Sequence, residues 1–202
     1  MEISAKEGKN GKIQVYADGE YRFTVHRLIW YGCGLHEGDD VDEETLAGLH
    51  ETAEQNAAYE KALRLLSMRA HSEKELERKL RERYGKASTA YALERCRQAG
   101  LVNDALFAES YAREIYERKF YAPRRIEQEL LTRGVPKKIA QNAIETLEID
   151  NDSAIINLIN KMHLPPTLTK KEADRLMRRL LGAGYTPSEI RQVVRFSDED
   201  YE

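Results

Sequence analysis

The feature that most constrains this chain is a pattern that returns about every fifty residues. Leu76 and Leu80 stand four apart in a charged stretch, Ile126 and Leu130 stand fifty residues on, and Leu176 and Leu180 fifty beyond those. Four-residue spacing puts each pair on one face of a helix. Around these anchors the same order recurs: a polar start (Asn103-Asp104, then Asp152-Ser153), an apolar helix, a charged helix ending in Leu-x-x-x-Gly (Leu130 to Gly134, Leu180 to Gly184), and a short third helix. The first copy is looser, with Tyr84-Gly85 at the stop. Such a period, with no strand pattern inside it, predicts tandem three-helix repeats stacked in a row, each burying part of its apolar face on its neighbour. The expected fold class is mainly α: a curved array of these repeats with a small N-terminal β-hairpin or meander. The expected division is a hairpin module over 1–41, a linking helix and first repeat over 42–102, a second repeat over 103–149, a third over 150–196, and an acidic tail over 197–202.

The N-terminal stretch carries a different period. Ile13, Val15 and Ala17 alternate with Gln14 and Tyr16, Asp18-Gly19 intervenes, and Tyr21, Phe23 and Val25 alternate with Arg22 and Thr24. Asp-Gly suits the positive φ angles of a type I′ turn, so this reads as a hairpin. Asn10-Gly11 offers a second turn and brings residues 2–5 in as a third strand. Two strands alone are marginal in water, and the segment from His26 to Tyr31, with Trp30, is the expected helical cover. Gly32, Gly34 and Gly38 match no phosphate-binding spacing and lie among acids, so they read as a loop before a helix capped by Asp42.

In the first repeat, Ala62, Leu63, Leu65, Leu66 and Ala70 form an apolar stripe, Ser72 and Glu75 form a capping box, and Ser88 or Thr89 caps a helix buried through Leu93 and Cys96. The second is expected to bury Leu106, Phe107, Tyr111 and Ile115 and to start its charged helix at Pro123. The third runs from Asp152 through Ile155, Ile156 and Ile159, crosses a loop at Pro165-Pro166, and ends in a Thr186–Glu189 capping box. Residues 1–40 are expected to be removable without loss of the helical part.

The formal net charge of −3 hides a division. Residues 1–58 hold five Lys/Arg against twelve Asp/Glu, residues 59–146 nineteen against thirteen, and residues 147–202 eight against ten. A basic middle between acidic ends points to an anionic partner for the centre. Cys33 and Cys96 lack Cys-x-x-Cys spacing and nearby ligand-spaced histidines, which reads as reduced thiols without zinc. No run approaches the ~18 apolar residues of a membrane span and the first residues lack a signal-peptide core, so the expected location is the cytoplasm.

No catalytic constellation stands out. His26, His36, His50, His71 and His163 are scattered, and the Glu-x-x-His motif of metal-binding bundles is missing, so neither enzyme activity nor a cofactor or metal is expected. The basic residues say more. Arg113, Arg118 and Lys119 end one helix and Arg124 and Arg125 begin the next, so five cations crowd one bend, interrupted by Phe120 and Tyr121. Guanidinium forks beside aromatic faces suit phosphates, unpaired bases or an acidic protein groove. The plainer reading is a solvated helix surface in which Arg113 pairs with Glu117 and Arg125 with Glu129.

Three blocks then carry a family resemblance. Ala62-Leu63-Arg64-Leu65-Leu66-Ser67-Met68-Arg69-Ala70-His71-Ser72-Glu73-Lys74-Glu75-Leu76, Gly100-Leu101-Val102-Asn103-Asp104-Ala105-Leu106-Phe107-Ala108, and Pro123-Arg124-Arg125-Ile126-Glu127-Gln128-Glu129-Leu130 with Arg133-Gly134-Val135 resemble the signature blocks of the RecX regulatory proteins. The chain reads His71-Ser72 where members often have Arg-Ser, and Ala122-Pro123 where they often have Gly-Pro. The resemblance implies a non-enzymatic regulator that binds RecA filaments and restrains ATP hydrolysis and strand exchange in recombination and repair; single-stranded DNA in or near the filament is a further expected partner, and a monomer is the expected state. Arg113, Arg118, Lys119, Arg124 and Arg125, with Lys74 and Arg78, are the expected contact residues. A helical-repeat duplex-DNA binder and an interaction scaffold unrelated to RecA are the rival classes; Glu127 and Glu129 on the charged helix weigh against the first.

Overall fold

The computed structural model describes residues 1–165 and 168–194; Pro166 of the expected loop and the acidic tail at 197–202 lie outside the described residues. The chain falls into two units, Met1–Val102 and Asn103–Glu202.

In the first unit, β1 (Ile3–Glu7), β2 (Lys12–Ala17) and β3 (Glu20–His26) form an antiparallel meander in that order. Both turns need positive φ, which Asn10 (59°) with Gly11 (69°) and Asp18 (50°) with Gly19 (78°) supply. The inner face buries Ile3, Ile13, Val15, Ala17, Phe23 and Val25. Tyr21 does not join it. Val15 pairs with Phe23 but Tyr16 pairs with Tyr21, so Arg22 is an extra residue, and the bulge turns Tyr21 outward, 54% exposed and edge-on to Tyr16 at 5.8 Å.

Helix α1 (Arg27–Gly32) lays Trp30 on the sheet core. Helix α2 (Glu43–Met68) starts where Asp42 Oδ1 accepts from Thr45 N at 2.8 Å. Its first half packs Leu46, Leu49 and Ala53 on the sheet, and its second half sends Ala58 and Ala62 into a separate core with Leu76, Leu80, Leu93 and Cys96. Of the expected stripe, Ala62 is buried and Leu65 and Leu66 are half-buried, while Leu63 and Ala70 are exposed. Helix α3 (Glu73–Arg81) starts with Ser72 Oγ accepting from Glu75 N at 3.1 Å. Helix α4 (Lys86–Gln98) begins earlier than expected, with Gly85 as cap and Ser88 and Thr89 buried inside. The acceptor comes from α2: Glu54 takes Gly85 N at 3.1 Å and Ser88 Oγ at 2.7 Å, which lowers its own pKa, Ser88 contributing most.

The second unit holds α5 (Asp104–Lys119), α6 (Pro123–Thr132) and α7 (Lys137–Glu145), then α8 (Asn151–Asn160), α9 (Lys170–Gly182) and α10 (Pro187–Val193). Leu76, Leu80, Ile126, Leu130, Leu176 and Leu180 are each at most 1% exposed, so the fifty-residue anchors are core in every copy. Two expected core residues are not. With Asn103 as cap, Phe107, Ala108, Ala112 and Ile115 face inward and Leu106 falls out of phase at 61% exposure. Helix α8 is capped by Asp150, not begun at Asp152, and in that phase Ile155 and Leu158 are buried while Ile156 is 47% exposed. The Thr186–Glu189 capping box forms reciprocally, as does one from Thr169 to Glu172 that the sequence reading did not anticipate.

Candidate functional site: the basic bend of the second repeat

The junction of α5 and α6 is made by one left-handed residue. Phe120 (φ 53°) ends α5, Ala122 is extended, and Pro123 opens α6, where its missing N–H costs nothing. A left-handed aromatic residue is strained unless its surroundings hold it, and here the third repeat does. The Tyr185 hydroxyl donates to Phe120 O at 2.8 Å, Ala122 N donates to Ala183 O at 2.9 Å, and Lys161 Nζ donates to Arg118 O at 2.7 Å. The Lys161 ammonium also stands 4.7 Å from the Phe120 ring centroid. Tyr185 is buried, and that burial, then Tyr116 and Glu189, pushes its phenol pKa up, so it remains a neutral donor. Gly184 makes the approach possible: its φ is 99°, and a Cβ there would lie 2.7 Å from Arg125 Cβ.

On this scaffold the five cations divide. Arg118 pairs with Glu114 at 2.8 Å, in place of the expected Arg113–Glu117 pair, and Arg125 pairs with Glu129 at 2.7 Å. Arg113 stands with Glu109, Glu114 and Glu117 on the mixed outer face of α5. Lys119 and Arg124 are exposed and form no salt bridge among the described residues. Lys119 Nζ and the Arg125 guanidinium lie 5.4 and 5.6 Å from the Tyr121 ring centroid. The bend is therefore a partly neutralised cationic surface, strongest at Lys119 and Arg124, with an aromatic ring between positive groups.

Lys74 and Arg78 are exposed on α3 of the first unit, one turn apart, and Lys74 pairs with Glu77 at 2.9 Å. Beside them is an ionic knot whose carboxylate and imidazole are buried and whose guanidinium is half exposed. Arg69 forks onto Glu75 at 3.0 and 2.6 Å, and His71 Nδ1 lies 3.0 Å from the same carboxylate. Burial alone would raise the Glu75 pKa, but Arg69 and His71 outweigh it and hold it at about 2; burial, then Arg69, lowers that of His71. His71 is only 4% exposed, so the His-Ser variant of the family block serves the entry of α3 and not a surface contact.

Sequence reasoning found the cations and missed the residues that fix them, Lys161, Gly184 and Tyr185. A signal existed: Val135 in the second repeat becomes Tyr185 in the third, and a phenol at a core position needs a partner for its hydroxyl. Among the described residues no cluster of His, Cys, Asp or Glu could hold a metal ion, and no helix is long and apolar enough to cross a membrane.

Comparison with known proteins matches residues 58–96 to the first three-helix domain of RecX and residues 103–144 to the second. The chain is 33% identical over 143 residues to regulatory protein RecX of Caldanaerobacter subterraneus subsp. tengcongensis, covering 70% of this chain and 72% of that one. It is 27% identical to regulatory protein RecX of Clostridium acetobutylicum, over 96% of this chain and 93% of the relative. A crystal structure of regulatory protein RecX shares the fold with a TM-score of 0.64 at 22% identity, over 95% of this chain and 98% of that one.

Proposed function

The chain belongs to the RecX family of regulatory proteins, and we propose that it binds RecA filaments and restrains their ATP hydrolysis and strand exchange without chemistry of its own. The basic bend is a principal contact. What supports this reading, beyond family membership, is that the bend's backbone makes three hydrogen bonds with the third repeat, so its cations meet a partner from a fixed frame. Preorganised charge loses less freedom on binding than charge on a mobile loop, and so contributes more affinity per contact. The partner side is anionic: acidic protein surface, the DNA within the filament, or both.

The test is RecA's DNA-dependent ATP turnover with increasing amounts of this protein. The expected result is a saturable fall in turnover, while the protein alone hydrolyses no nucleotide. Unchanged turnover at saturation would rule out the regulator reading for this chain.

A further inference from the structure

The acidic N-terminal part holds a surface that the basic bend does not explain. Residues 28–58 contain no Lys or Arg and eight Asp/Glu. Here α1, whose first residue Arg27 precedes this stretch, and the first half of α2 enclose an open groove of about 500 Å³. Ile29, Leu35 and Leu49 line it and pack on the sheet core beneath. Its α2 wall is made of small residues, Thr45, Gly48 and Thr52, and apart from its chain neighbours and the helix's own backbone no atom lies within 4 Å of where a Gly48 Cβ would stand. On α1, Leu28 and Tyr31 are 70% and 68% exposed. Glu44 and Glu51 are exposed on α2 about one turn before and after Gly48.

We propose that this groove docks a short cationic amphipathic segment of a partner protein, with apolar side chains on the Ile29–Leu35–Leu49 floor and Lys or Arg side chains against the acidic rim. Apolar lining left in water favours an apolar occupant, and the width left by Gly48 admits a side chain close to the α2 backbone. The charge decides which occupant. Glu44 and Glu51 beside the groove, in a stretch of chain with eight acids and no base, attract a basic segment and repel nucleic acid and acidic peptides. This surface is independent of the bend and of the RecA reading, so either can fail without the other.

The full chain provides its own reporter. Cys33 lines the groove and is exposed, whereas Cys96 is buried and its thiol pKa is pushed up by that burial, so a thiol reagent modifies Cys33 first. The probe is a synthetic peptide of about four helical turns with Leu and Phe on one face and Lys on the other. Its controls are a scrambled version and one with Glu in place of Lys. The amphipathic Lys peptide is expected to bind, more weakly as salt rises, and to slow Cys33 modification several-fold. Gly48→Leu, which fills the groove, and the pair Glu44→Lys with Glu51→Lys, which reverses the rim, should each abolish binding and protection with the melting temperature kept. The pair keeps the test alive if the filled groove disturbs folding. Three results overturn the proposal: equal binding by wild type and the charge-reversed pair, binding without protection of Cys33, or equal binding of the Glu peptide. It is also overturned if Cys33 becomes protected by raising the protein concentration alone while sedimentation shows a dimer, because the groove would then be a contact between copies.

Discussion

Glu75 shows how a single residue ties local sequence to stability. Its folded pKa of about 2 lies below the ordinary 4.5, so its contribution is full above about pH 4.5 and is lost as pH falls toward 2. The shift corresponds to at most about 3 kcal/mol, and less in practice because Arg69 is half exposed and screened by solvent. The His71 pKa is also lowered, so acid protonates the unfolded chain first, and stability begins to fall below the ordinary 6.5. Melting temperatures measured from pH 7 to pH 3 should therefore decline through both windows, and Glu75→Gln should flatten the lower one. A wild-type profile flat down to pH 3 would contradict the ionic knot. At Gly184 the constraint is steric. Gly184→Ala meets a left-handed φ and a 2.7 Å approach to Arg125, and should cost about 2 kcal/mol or more. An alanine variant that melts with wild type would show that this junction yields easily.

Among the elements, what could be read in advance was what repeats or alternates. The anchors from Leu76 to Leu180 were legible because a four-residue spacing recurring three times admits one helical face. The hairpin was legible from Asp18-Gly19, but the bulge at Arg22 was not, because alternation in sequence carries no record of an extra residue. The start of α4 was misplaced for a related reason: its cap acceptor, Glu54, stands thirty-one residues before Gly85, and local capping patterns see three or four residues. The cations of the bend were visible as composition, while their frame of Lys161, Ala183 and Tyr185 depends on packing between repeats. Continuity of α2 bears on the removable hairpin module. We propose that deleting residues 1–40 leaves the core around Leu76, Leu80 and Cys96 folded and cooperative, but frays the first turns of α2, where Leu46, Leu49 and Ala53 lose their cover. Circular dichroism should show a helical protein with a sharp melt and reduced signal; loss of the cooperative melt would make the sheet part of the same folding unit.

On the scale of the whole molecule the division of charge is the organising fact. An acidic N-terminal stretch and a basic middle give one chain two surfaces of opposite preference, one proposed for a cationic segment and one for an anionic filament. The structure sharpens which cations to change. Arg118 and Arg125 already hold Glu114 and Glu129, so reversing them disturbs ion pairs within the fold, whereas Lys119 and Arg124 form none among the described residues. Replacing both by Glu should shift folding by under about 1 kcal/mol each, yet weaken a charge-driven contact by about tenfold or more. The most direct measurement is sedimentation with RecA filaments formed on single-stranded DNA with a slowly hydrolysed nucleotide, at low and high salt. Wild type is expected in the pellet only when filament is present and less of it at high salt, with the Lys119→Glu/Arg124→Glu variant left in the supernatant while still melting cooperatively within a few degrees of wild type. A folded variant that pellets as wild type does at both salts would contradict the bend as the contact, and a wild type that never pellets would contradict filament binding itself.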